Sequence, residues 1–216
     1  MKKEYSELPS SIADINTYGF SWMEFITAIP APLFVVTSFK SNRKANACLQ
    51  SWACFSGSKN GYYAILSQVN RNGHMYRTIK EGGVCVINFP SAEIYDKCID
   101  TIKNNQWKAD EITASGLSWE AATAVDAPRI VECFLALECR YMWERSINEE
   151  DDNVLVCLNV LNVCMEEAYL DESVQGRYGD SGYIYNLHYP INPENYNGKS
   201  RDSIAVLKKI KEGTEY

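Results

Sequence analysis

The chain has 216 residues, 46 % hydrophobic and 23 % charged, a length and balance that fit one globular domain and exclude a disordered or fibrous protein. Its 21 basic residues against 28 acidic ones give a net charge of −7, and the densest basic cluster is Lys208, Lys209 and Lys211, so no nucleic-acid surface is expected. The opening MKKEYSELPSSIADI is polar and no apolar run approaches the ~20 residues of a spanning helix, which predicts a cytoplasmic protein without membrane contact, whose eight cysteines, lacking any C-x-x-C pair, are small core residues.

The first element is the run Pro30 to Ser38 (PAPLFVVTS), continuous, β-branched and introduced by prolines, which predicts a strand buried on both faces. After the polar turn Lys40 to Lys44, Ala45 to Phe55 mixes small residues with Leu49, Trp52 and Phe55, then stops at SGSKNG. Tyr62 to Val69 predicts a strand, His74 to Lys80 a helix ended by Gly82-Gly83, and Val84 to Phe89 a strand closed by Pro90. Ile94, Tyr95, Cys98, Ile99 and Ile102 recur at helical spacing within Ala92 to Asn104. A loop-rich stretch leads to Asp126. From Pro128, RIVECFLALECRYMWE alternates as one long strand, and the acidic turn NEEDDN joins it to VLVCLNVLNVCME in a hairpin. Ile204, Leu207 and Ile210 predict an amphipathic helix over Arg201 to Glu212. Many strands, few helices and no G-x-G-x-x-G argue against a doubly wound nucleotide fold and for a closed or split barrel with added helices.

Four phrases in order, aPLFVVTSF, KANACLQSW, RNGHMYRTI and GGVCVINFPS, together with SGLSWEAATAVDAPRIVECFLALEC and DDNVLVCLNVLNV, resemble the flavin reductase-like, FMN-binding split-barrel family that includes the flavoredoxins. The likeness spans roughly Ile29 to Glu166. It implies a mainly β fold with added helices (α+β) built as a six-stranded Greek-key split barrel. It further implies one domain over 1–216, with a core at about 28–168 and a tail over 169–216, assembled as a homodimer that binds FMN. Carried over residue by residue, it puts Thr37 and Ser38 near the flavin, Asn46, Ala47, Cys48, Ser51 and Trp52 along the isoalloxazine and ribityl chain, and Ser67, Gln68 and Val69 beside the ring. Arg71, His74 and Thr78 fall where the family holds the phosphate, and Tyr185 is offered as an aromatic closing over the flavin edge.

These residue types suit the chemistry. An isoalloxazine is a flat apolar surface rimmed by carbonyl and N–H groups, so it wants an aromatic or aliphatic wall and a few fixed polar partners, and a phosphate wants hydroxyls, helix-start amides and a cation. Two positions depart from the family. A Lys in its D-K-F phrase is here Glu111, leaving Lys108 as the nearby replacement, and a His before the last long strand is here Asn153. Taken alone, Trp52 reads as a core aromatic, Asn46 as a turn residue, Arg71 as a solvated charge and His188 as part of a packed tail. Two His and no spaced Cys pair give a metal little to bind, and nothing beside Cys48 would activate its thiol. The implied activity is an FMN oxidoreductase of the flavoredoxin or NAD(P)H:flavin reductase type, with no side chain acting as acid, base or nucleophile. Its electron donor is NAD(P)H or a redox protein. The alternatives are an FMN carrier between proteins with no nicotinamide site, and a flavin-free barrel that binds a partner.

Overall fold

The computed structural model describes residues 2, 4, 29–171, 177–187, 203–209, 211 and 213. After a two-residue β1 (Ala31–Pro32), the apolar run forms β2 (Phe34–Phe39), and its two faces enter different cores. Phe34 and Val36 pack with Leu66, Ile79, Ile87 and Leu158, whereas Val35 packs with Ala45, Ala47, Cys98 and Ile112. Double-sided burial is what a continuous β-branched run specifies, and β6 (Val84–Phe89) behaves in the same way.

The antiparallel main sheet also contains β3 (Ala45–Gln50), β4 (Ala53–Ser58), β5 (Gly61–Asn70), β9 (Leu135–Ser146) and β10 (Asn153–Met165), in the order β3-β2-β6-β9-β10-β5-β4. Its two edges, β3 and β4, are consecutive in the chain and separated by only Ser51 and Trp52. The residues 45–58 therefore act as one bent strand that pairs with β2 at one end and β5 at the other, with Ser67 N–H donating to Trp52 O at 2.8 Å across the bend. Counted so, the sheet has six strands, an order compatible with a split barrel, and the sides of β3 and β4 turned away from β2 and β5 have no strand partner among the described residues. The expected mainly β fold with added helices is observed.

Helices α1 (His74–Gly82), α2 (Tyr95–Lys103) and α3 (Glu111–Ala114) are added to the sheet. The predicted stop of α1 holds for a definite reason: Gly83 takes φ 70 and its N–H caps Ile79 O at 2.8 Å, a left-handed conformation that costs glycine little. Asp110 caps α3 by accepting from Thr113 N–H at 3.0 Å.

Two expectations need correction. The segment from Pro128 is not one strand: β7 (Trp119–Ala121) pairs with β8 (Pro128–Ile130), and a turn precedes β9. Glu132 accepts Ser118 N–H at 2.9 and 3.0 Å, Cys133 N–H closes back on Ile130 O at 3.3 Å, and Val131 is left 48 % exposed. The period-two pattern continues through residues whose backbone has turned away from the sheet. The terminal helix is also absent from the described part of 201–212, where Ile204–Val206 form strand β12. A strand partner outweighs a short apolar repeat where β-branched Ile204 and Val206 favour the extended chain, and Leu187 N–H, just after β11 (Ile184–Asn186), donates to Ser203 O at 2.9 Å.

The chain divides into a larger unit, Pro32–Ile184 with Val206–Tyr216, and a smaller one, Met1–Ala31 with Tyr185–Ala205. Everything below concerns the larger unit unless stated.

Candidate functional site

The free side of β3 sets the site. Thr37 and Ala47 face each other across β2 and β3, and Ala47 N–H points away from β2 to Glu111 Oε2 at 2.8 Å. By the two-residue alternation of an antiparallel pair, the Leu49 N–H turns the same way. A cleft of about 220 Å³ opens on this side, lined on β3 by Asn46, Ala47, Cys48, Leu49 and Gln50.

The opposite wall comes from the end of β5 and the start of α1. Register shifts where Val154 faces Val69 but Val156 faces Leu66, so two residues of β5 oppose one of β10, a β-bulge. Gln68 in this bulge takes φ 55, an uncommon conformation for a side chain with Cβ, and lines the cleft with Asn70. Gly73, His74 and Met75 follow. Gly73 provides no side-chain cap and the first turn of α1 has no acidic residue, so its unpaired amides and positive dipole end suit an anion. Thr101, Ile102 and Asn105 complete the wall from α2 and the residues after it.

Three polar atoms here are buried without a hydrogen-bond partner: Asn46 Nδ2, in a residue 1 % exposed, His74 Nδ1 and Glu111 Oε1. An unsatisfied buried donor costs about 1–3 kcal/mol, and such a cost at a cleft wall is offset when a ligand supplies the acceptor. His74 stands edge-on to Trp107, ring centroids 5.0 Å apart, with its Nδ1 3.7 Å from Glu111 Oε1. Glu111 is fully buried with Lys40, whose Nζ lies 2.6 Å from Oε1 and donates to Gln106 O and Ala109 O, each at 2.9 Å. An ammonium has three donors, and all three of Lys40's are directed inward.

The residues expected at the site thus separate. Asn46, Ala47, Cys48, Gln68 and His74 line the cleft. Ser51 is buried and Trp52 half-buried at the bend, while Ser67 spends its N–H on Trp52 O. Val69 is core, Ser38 and Thr78 join hydroxyls at 2.6 Å, and Thr37 bonds Pro128 O and accepts from Asn88 Nδ2 at 2.9 Å. The Arg71 guanidinium goes to Glu144 at 3.5 Å and Ser146 at 3.2 Å. Burial opposes charge on Glu144, yet Lys80 at 3.0 Å, with Tyr76 and Tyr141, holds its carboxyl below the usual range. Lys108 is exposed, Asn153 turns its amide onto Asp151 at 2.7 Å, and Tyr185 is half-buried in the smaller unit. His188 lies outside the described residues.

Leu49 and Gln50 of KANACLQSW, and Gly73 and Met75 of RNGHMYRTI, also line the cleft, whereas Asn70, Thr101, Ile102 and Asn105 on the walls, and Lys40 beneath them, carried no signal for the site in the sequence. Lys40 was readable only as a turn residue, although Glu111 had already marked its position as unusual. A second cleft of about 300 Å³ is lined by Phe39, Lys40, Arg43, Thr78 and Asp126 among others. Its guanidinium is closed on Asp126 at 2.7 and 2.9 Å, so it offers a ligand less unpaired chemistry.

The family model described as "Flavin reductase like domain" matches residues 26–183. Flavoredoxin of Desulfovibrio vulgaris (Miyazaki F) superposes with a TM-score of 0.67 at 16 % identity, over 86 % of this chain and 91 % of that one. Nitrilotriacetate monooxygenase component B from Bacillus cereus gives 0.73 at 18 %, over 96 % and 100 %. A protein with a split barrel domain from Shewanella frigidimarina gives 0.72 at 14 %, over 89 % and 91 %. The fold is shared with all three, and the family match, which covers most of the chain including every wall of the cleft, decides the assignment: the chain belongs to the flavin reductase-like family, a group of flavin-linked oxidoreductases.

Proposed function

We propose that the protein is an FMN-binding oxidoreductase of the flavoredoxin or NAD(P)H:flavin reductase type, with the β3–α1 cleft as its flavin seat. The observation that carries the reading is Asn46 Nδ2, a buried amide donor without an acceptor in the wall of a cleft. The donor set fits the group. Ala47, Leu49, Met75 and Ile102 supply apolar wall, the carboxamides of Asn46, Gln50, Gln68, Asn70 and Asn105 supply polar partners for a carbonyl-rich rim, and the α1 amides with His74 suit a phosphate. When bound, FMN supplies the redox chemistry by accepting a hydride or electrons and passing them on.

The chain's part is to bind, orient and tune. Asn46 donates a fixed hydrogen bond, the β3 backbone holds one edge of the ligand, and the buried carboxylate of Glu111 keeps Ala47 N–H in place. Burial pushes the Cys48 thiol up against the opposing hydrogen bond from Gln50, and the nearby Glu111 charge adds to the rise, so it lines the seat as a neutral group. Arg71 and Thr37, whose polar atoms are engaged elsewhere, are left out of the proposed seat, and His74 is retained. A homodimer belongs to the proposal, supported by the exposed apolar residues Leu161 and Val163 on β10 and Met142 and Trp143 on β9. Light scattering tests it.

The test of function has two steps. Added FMN gains a shifted visible absorbance on binding, with FAD and riboflavin as competitors; no spectral change with any flavin ends the proposal. Anaerobic mixing of the FMN-loaded protein with NADH and NADPH then bleaches the flavin if the nicotinamide is the donor, and absence of bleaching with both leaves a carrier fed by a redox protein.

A further inference from the structure

The cleft wall opposite β3 is a short stretch of chain, Gln68 and Asn70 at the end of β5 and Gly73, His74 and Met75 at the start of α1. Local sequence fixes it only in part. A turn closes it, with Asn72 N–H on Asn70 Oδ1 at 2.8 Å and Gly73 N–H on Asn70 O at 3.0 Å. Against that, Gln68 holds a left-handed φ of 55 and α1 begins without a side-chain cap. The rest of the support comes from the β9–β10 hairpin. Asp152 accepts Arg71 N–H on its main-chain oxygen at 3.0 Å and Asn72 Nδ2 on its carboxylate at 2.9 Å. Glu144 on β9 receives four side chains. Its Oε1 accepts from Tyr76 OH at 3.0 Å and Arg71 Nη2 at 3.5 Å, and its Oε2 lies 3.0 Å from Lys80 Nζ and accepts from Tyr141 OH at 3.2 Å. Lys80 also donates to Tyr141 OH at 2.9 Å.

We infer that Glu144 is a positioning residue of the flavin seat: from outside the cleft it holds the β5–α1 wall in the arrangement that accepts the ligand, so that the seat is formed before the flavin arrives. This rests on the flavin-seat reading and adds to it the residue that pre-organises one wall. Arg71 precedes the wall residues of the turn and helix start, Tyr76 and Lys80 follow them, and neither these three nor Glu144 lines the cleft.

The chemistry favours a network over a set of pairs. Lys80 and Arg71 are partly exposed, so each ion pair alone is screened and contributes little. Four donors converging on one carboxylate reinforce each other. A neutral amide in its place leaves Lys80 and Arg71 without a counter-charge and turns an N–H group towards donors. Met75 and Ile79 keep α1 docked in the main core, so the change loosens the entry to the helix and the turn before it, not the barrel. Affinity then falls by the fraction of time that the wall is in its binding arrangement.

FMN titration of wild type, Glu144→Gln, Tyr76→Phe and the double variant, with hydrogen exchange of the flavin-free proteins, tests this. Glu144→Gln is expected to lose about tenfold in FMN affinity, with faster exchange confined to the amides of residues 70–76 and exchange in β6 unchanged. Saturating FMN is expected to restore slow exchange there. The substitution removes a negative charge, so a direct electrostatic effect on the anionic ligand would tighten binding, and a loss reports the wall. Tyr76→Phe changes no charge and is expected to lose about threefold, while the double variant loses no more than Glu144→Gln, because both act through one network. Should Glu144→Gln fail to fold, Tyr76→Phe decides alone. A lowered Tm with FMN affinity of the folded protein unchanged, or losses that add in the double variant, overturns the inference while leaving the flavin seat intact. No FMN binding by wild type overturns both.

Discussion

Glu138 and Glu111 are both fully buried carboxylates with a cation beside them, yet their surroundings differ. Glu138, on β9, accepts the N–H groups of Thr123 at 3.0 Å and Ala124, and Arg129 at 3.0 Å. Desolvation opposes its charge, but these donors outweigh it and hold the carboxyl below the ordinary range. Glu111 has one amide and one ammonium, and its remaining direction faces an imidazole at the wall of a cleft. A buried charge surrounded by its own chain's donors organises the fold, whereas one that shares its field with an open cleft can act on a ligand.

The largest expected effect separates the two. Glu138→Ala leaves Arg129 and two amides without their acceptor and is expected to cost about 3–5 kcal/mol in urea unfolding, with FMN affinity of the folded fraction unchanged. A parallel loss of affinity would break the distinction. Because the folded-state pKa of Glu138 is depressed, its stabilisation is complete above the unfolded carboxylate pKa and is lost as pH falls through the folded value. Glu138→Gln should flatten that part of the acid limb.

Next comes Lys40→Met, which strands Glu111 and is expected to cost about 3 kcal/mol together with FMN affinity. The double variant Lys40→Met/Glu111→Leu should recover most of the stability, since an apolar pair can replace a buried ion pair, without recovering FMN affinity. Asn46→Ala sharpens the comparison from the other side. It removes an unpaired donor, so unfolding stability should stay within about 1 kcal/mol of wild type while FMN affinity falls about fivefold to tenfold. The smallest effect is Gln68→Gly, expected to add about 0.5–1 kcal/mol by relieving the positive φ of the bulge, readable as a small rise in Tm.

Much of the fold could be read from one-dimensional pattern. β2 and β6 declare themselves by continuous apolar runs and α1 by its Gly82-Gly83 stop, because those signals are local. The turn after Ile130 and the strand at Ile204 could not be read, since each is decided by distant partners: Ser118 N–H for Glu132, and Leu187 N–H for Ser203 O. The site divides in the same way. Asn46, Cys48, Gln68 and His74 came through resemblance, and they line one cleft. Thr37 did not, because alternation along β2 puts its hydroxyl onto Pro128 and Asn88. The pairing of Lys40 with Glu111 joins residues far apart in sequence, and neither residue type implies the other. Glu111 stood out as a departure from the family, and the structure supplies its counter-charge.

The central claim is that the flavin sits between β3 and the start of α1. A crystal structure of the protein grown with FMN tests it most directly. Electron density for the flavin is expected in the cleft, with a ligand acceptor within hydrogen-bond distance of Asn46 Nδ2 and the phosphate at the α1 amides beside His74. Well-defined flavin elsewhere, such as over Phe39 and Arg43, with Asn46 still unpaired, would contradict it.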